Sequence, residues 1–262
     1  MPRRPTIPVL RAAYDAQQRN LAEWLPSLRT EVWEAPSALA GWTIRELAFH
    51  TTDVPAALTR AVASGPVATR GLSIAEYTSA WSGVSSEIRD RSRDGAAGLT
   101  VAHVVNRHNE ERAAMNAALD ALQDDPVINA RRGPIKVSDF LTTRINELVV
   151  HSRDLSASLP DGQAVAIDHD ALGVAVRMLL GILTERLPGK SVEVRIPPYA
   201  AAQCIEGPRH TRGNPPNVVE ADGLTWVEIA TGRLAWGEAV GSGRVQANGE
   251  RSDLSAYLPV LS

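Results

Sequence analysis

Residues 144–155 read RINELVVHSRDL, with Glu147 and His151 four apart in a segment otherwise rich in Leu, Ile and Val. A helix turns about 100° per residue, so side chains four apart share a face. From Ser138 to Leu159, the residues Leu141, Ile145, Leu148, Leu155 and Leu159 form one apolar stripe. Arg144, Glu147, His151 and Asp154 form a second stripe beside it, and Asn146 and Arg153 fall on the opposite side, expected to face solvent. The Glu–His pair then points to the interior of a helical bundle or to its rim. Polar groups there need partners, because an unpaired charge in an apolar site costs several kcal/mol. Two readings follow: an i,i+4 pair along a partly exposed groove, or half of a metal site.

The surrounding sequence supports a bundle. Apolar residues recur at near-helical spacing from about Val9 to Leu28, and further helices are expected around Ile74–Arg91, Val101–Leu122 and Ser138–Leu159. Thr43 opens TIREL, a T-x-x-E capping box with Glu46 at the third helical position, and Pro55 is expected to kink or end the helix that follows. Four long helices joined by loops predict a bundle over residues 1–160. After LPDGQAVAID the character changes. One more helix, capped by Asp168 or Asp170, precedes short alternating segments: SVEVRI, AAQCIE, NVVEA and GRVQANG. Two short helices fall between the last two. The fold class expected is thus a helical domain followed by a smaller α+β domain over residues 161–262.

Bulk properties narrow the function. The 262 residues are 44% hydrophobic, enough for real cores, and the net charge of −3 offers no basic face for nucleic acid. Cys204 is the only cysteine, so no internal disulfide forms, which fits a cytoplasmic location. The start, MPRRPTIPVL, lacks the apolar core of a signal peptide, and no apolar run approaches the ~18 residues of a membrane span. Arg supplies all the basic residues except Lys136 and Lys190. The oligomeric state is not legible.

A metal would need a third ligand from another helix. His50 lies at the edge of the stripe made by Ile44, Leu47, Thr51 and Val54, and reads either as that ligand or as a core-edge histidine. His103 and His108 compete, but a spacing of five splays them around a helix. His169 reads as a helix start and His210 as a loop residue.

Two motifs carry a resemblance. LAGWTIRELAFH, followed about a hundred residues later by RINELVVHSRDL, resembles the N-terminal domain of the mycothiol-dependent maleylpyruvate isomerase family, within the DinB-like metal-binding four-helix bundles. The resemblance covers roughly residues 8–160 and implies a divalent metal, usually zinc, on His50, Glu147 and His151. Trp42, Arg144, Asp154 and Leu155 fit the same pattern. The closing stretch IATGRLAWGEAVGSGRVQANGE is similar to the sterol-carrier fold, and the nearest resemblance over almost the whole length is to an actinobacterial branch labelled sterol-carrier family protein.

The resemblance implies a zinc site with an open position and the small thiol mycothiol as cofactor, attacking a small electrophile in an isomerase or S-transferase reaction. A carrier of apolar, lipid- or sterol-type ligands with a purely structural metal is the alternative. Asp154 reads either as orienting a ligand and cofactor or as an ion-pair partner of Arg153 or Arg144. Arg144 reads either as a partner of Glu147 or as a clamp for a substrate carboxylate. PRHTRG sets Arg209, His210 and Arg212 in one loop, a candidate clamp for the cofactor's polar or anionic groups. Cys204, Trp226 and Trp236 read as core.

Overall fold

The structure is a computed structural model and describes residues 4–79, 85–159, 162, 164–207 and 216–261. The chain divides into two compact units, residues 1–171 and 172–262.

In the first unit, four long helices form a bundle: α1 (Ile7–Trp24), α2 (Ile44–Ala63), α5 (Val101–Asp120) and α6 (Val137–Ala157). Each touches two others, in the ring order α1–α6–α2–α5. The apolar stripes expected from sequence supply the core. Leu10, Leu21, Ile44, Leu47, Leu58, Met115, Leu141, Ile145, Leu148 and Leu155 are all fully buried. Thr43 and Glu46 form the expected capping box, Thr43 Oγ1 accepting from the Glu46 amide and the Glu46 carboxylate accepting from the Thr43 amide. Asp125 starts α6 by accepting from the Ser138 amide and hydroxyl.

Several expectations are corrected. Of the two outcomes expected at Pro55, an end to the helix does not occur: α2 continues to Ala63 with Pro55 inside it. Of the helix expected at 74–91, the described residues form α3 (Ile74–Ser79) and the start of α4 (Ser85–Ala96), and residues 80–84 lie outside the described residues. A hairpin absent from the sequence reading, β1 (Val127–Ala130) and β2 (Gly133–Lys136), joins α5 to α6. Asn146 does not face solvent but is 2% exposed, because α6 packs against α1, α2, α3 and the hairpin and has little free face.

The second unit contains most of α7 (His169–Arg186), then β3 (Val192–Ile196), β4 (Ala200–Cys204), β5 (Val218–Ala221), α8 (Gly223–Ala230), α9 (Trp236–Gly241) and β6 (Val245–Asn248). The sheet order is β4-β3-β5-β6, with β3 and β5 parallel and the other pairs antiparallel. Val192, Val194 and Ile196 alternate onto the buried face, as do Val219 and Ala221. Asp168, not Asp170, caps α7: its carboxylate accepts from the amides of Asp170 and Ala171. Trp226 is fully buried, whereas Trp236 is half-buried. Cys204 is buried and its thiol is pushed up to about 11 by desolvation. Among the described residues no helix is long and apolar enough to cross a membrane.

Candidate metal centre

The bundle brings His50 of α2 and Glu147 and His151 of α6 together. One ligand atom from each lies within 4.8 Å of the others. His50 Nε2 is 3.2 Å from Glu147 Oε1, and the two imidazole rings meet edge to face with centroids 5.0 Å apart. The helical spacing of 147 and 151 aligns two of these groups on one face, and the α2–α6 contact supplies the third.

Each ligand has a partner behind it. Asp154, one turn beyond His151 and only 4% exposed, lies 3.0 Å from His151 Nδ1. A carboxylate there accepts Nδ1–H and leaves Nε2 as the free lone pair. Arg144 pairs with the second oxygen of Glu147 and stacks over the Phe140 ring at 4.8 Å. Behind His50, the Ser92 hydroxyl of α4 lies 3.5 Å from Nδ1, and Trp42 meets the ring edge at 5.4 Å between centroids.

Electrostatics suit cation binding. Burial by itself would raise the Glu147 carboxyl, but the charge of Arg144 and the hydrogen bond and charges of His50 and His151 outweigh it, and the group is held far below the usual carboxylate range. Burial lowers the His151 ring, and the Asp154 hydrogen bond only partly opposes it. An ionised carboxylate beside a neutral imidazole is the protonation state a metal requires.

The donor set fits a divalent cation. In a tetrahedral zinc shell, donors about 2.1 Å from the metal sit about 3.4 Å from one another. The His50–Glu147 separation of 3.2 Å already matches, and the whole trio lies within 4.8 Å. A histidine backed by a carboxylate is the usual outer support of such a site.

The other described histidines stand elsewhere. His103 closes the N-terminal cap of α5 with Thr100, and His108 is fully buried with Nε2 2.9 Å from the Thr51 hydroxyl. Burial pushes the His108 ring down to about 3. Arg209, His210 and Arg212 lie outside the described residues. Sequence reasoning missed Ser92, and nothing in its neighbourhood marks it: it is one serine in a helix dominated by Arg, Asp and Ser.

Comparison with curated proteins gives no match. A solved structure of the mycothiol-dependent maleylpyruvate isomerase and one of its histidine-to-alanine mutant each align over 93% of this chain and 93% of theirs, at 17% identity and a TM-score of 0.59. At that identity the likeness speaks for the fold. The family model for the bacterial SCP ortholog matches residues 168–260. The model for the mycothiol maleylpyruvate isomerase N-terminal domain matches residues 14–156, more than half of the chain, and the chain belongs to that family.

Proposed function

We propose that the protein is a metal-dependent enzyme that uses a small thiol, mycothiol, to isomerise a small electrophile or to transfer the thiol's sulfur onto it as an S-transferase, with zinc the expected metal. The observation that carries this reading is the meeting of two imidazoles and a carboxylate from two helices within 4.8 Å, inside a domain of this family. Three protein ligands leave a fourth position for a guest, the arrangement of catalytic rather than structural zinc. A divalent cation so held supplies a Lewis-acidic position that favours the thiolate form of a bound thiol.

The chain's own groups do the rest. Asp154 holds the His151 ring in one tautomer and orientation. Arg144 neutralises the outer oxygen of Glu147 and keeps the inner one available. Arg144 therefore acts on the ligand set, while Arg209, His210 and Arg212 are proposed to contact the polar groups of the thiol. A cytoplasmic location, where such thiols are kept reduced, accompanies this reading.

A second reading is favoured by the bacterial SCP match at residues 168–260: a carrier of apolar ligands, the metal serving only the bundle. The two separate in one experiment. Elemental analysis and a calorimetric mycothiol titration are run on the purified protein and on His151→Ala. The enzyme reading expects about one metal per chain and metal-dependent thiol binding, both lost in the variant. Full metal occupancy in His151→Ala would remove the site assignment, and metal without thiol binding would favour the carrier.

A further inference from the structure

A polar helix, α4, is laid across α2 at the level of the proposed ligand. Four α2 residues on one face, Glu46, Phe49, His50 and Asp53, receive it. Arg93 pairs with Glu46 at 3.5 Å, and Arg91 pairs with Asp53 at 3.4 Å. Gly95 lies against Phe49 so closely that a Cβ there would come within 2.5 Å of two ring carbons. Phe49 is itself held by the Arg107 guanidinium, 5.1 Å above its ring. At the centre of this contact, Ser92 is fully buried and its Oγ faces His50 Nδ1 at 3.5 Å.

That hydroxyl is directed at a neighbouring helix. Four buried hydroxyls on the other helices bond back to their own backbone, Thr51 to Ala48, Thr52 to Phe49, Thr143 to Phe140 and Ser156 to Ser152, at 2.6 to 2.8 Å. Ser92 meets a ring nitrogen on a neighbouring helix, as the Thr51 hydroxyl also meets His108 Nε2 at 2.9 Å, but the ring that Ser92 meets is that of a proposed ligand. The opposite nitrogen of that ring, Nε2, is the one that faces Glu147.

We propose that Ser92 is a positioning residue for His50: its hydroxyl accepts from Nδ1–H and fixes the ring so that Nε2 is presented to the metal. The proposal rests on the metal-site reading. It gives the two histidines different supports, a carboxylate for His151 and a neutral hydroxyl for His50. A neutral partner orients the ring without adding negative charge, so the centre keeps its attraction for an anionic guest. At 3.5 Å the contact is at the long end for such a bond, and its strength is what the test reads.

The test compares zinc affinity, by competition with a chromophoric chelator, in the full-length protein and in Ser92→Ala, Ser92→Thr and Gly95→Ala. Removing an outer partner of a metal-bound histidine weakens affinity by about 10- to 100-fold. Ser92→Ala is expected to lose about tenfold or more while the zinc-free protein melts as before. Ser92→Thr, which keeps the hydroxyl, should restore most of the affinity. Gly95→Ala keeps the serine but forces α4 off Phe49, so it should weaken zinc in the same direction; it carries the test if the alanine variant fails to fold. Affinity of Ser92→Ala within twofold of the parent would overturn the proposal, as would equal losses in the alanine and threonine variants. A parent protein that takes up no zinc would instead defeat the metal-site reading itself.

Discussion

His108 makes the bundle sensitive to acid. The ring is fully buried in α5, bonded through Nε2 to Thr51, and its backbone carbonyl accepts from the Gln18 amide at 3.0 Å. In the open chain it would titrate near 6.5, whereas burial pushes it down to about 3 in the fold. The unfolded chain therefore binds a proton that the native state refuses. Stability from the neutral ring is complete above pH 6.5 and is lost progressively as the pH falls towards 3. Each pH unit well inside that window costs about 1.4 kcal/mol, so acidifying from pH 6 to pH 4 removes about 2 to 3 kcal/mol. The measurement is urea unfolding of chelator-treated protein between pH 7 and pH 4, followed by far-UV circular dichroism, on the parent and on His108→Gln. The variant is expected to be less stable at pH 7, because it loses a well-packed ring, yet to show a flatter pH dependence by that same amount. Parallel pH curves for the two proteins would refute the reasoning and show that the ring is protonated without penalty.

Three further outcomes follow from separate features. If His50, Glu147 and His151 hold a metal, metal-loaded protein will melt higher than chelated protein, with a gap that grows with free metal; about 2.7 kcal/mol is expected at a hundred times Kd, and equal melting of verified loaded and stripped samples would count against the site. Gly189→Ala should destabilise the second unit by more than about 1 kcal/mol, because its Cβ would intrude on the Ile205 carbonyl at the edge of β4; an unchanged melting temperature would contradict this. Cys204, buried and raised to about 11, should resist iodoacetamide at pH 8 and react only in denaturant; fast native labelling, read by mass spectrometry, would show otherwise.

Much of this architecture is legible in the residues. The α2 capping box is a local motif, and the alternation in Val192–Ile196 is a local pattern, so each reads directly. The three proposed ligands are visible because two lie one helical turn apart. What stayed hidden depends on surroundings. β1 and β2 are four residues each, one of them carrying Pro134, too short for alternation to register. Asn146 was misplaced because an amphipathic reading assumes one wet face, and α6 is covered on nearly all sides. Whether Asp154 supports His151 or pairs with an arginine was open from spacing alone, because both partners lie within its reach. Ser92 depends wholly on how α4 docks, which no local signal encodes.

The apposition of His50 and Glu147 joins points almost a hundred residues apart along the chain. Closing a loop of that length costs about 4 kcal/mol of chain entropy. An ion gripping both sides would act as a detachable tether across the whole α2-to-α6 span. Its capture would have to follow assembly of the helices, since neither segment alone offers three donors. Its departure would withdraw the binding free energy from the folded state, so starvation for the ion would lower the stability of the whole bundle and not merely empty one position.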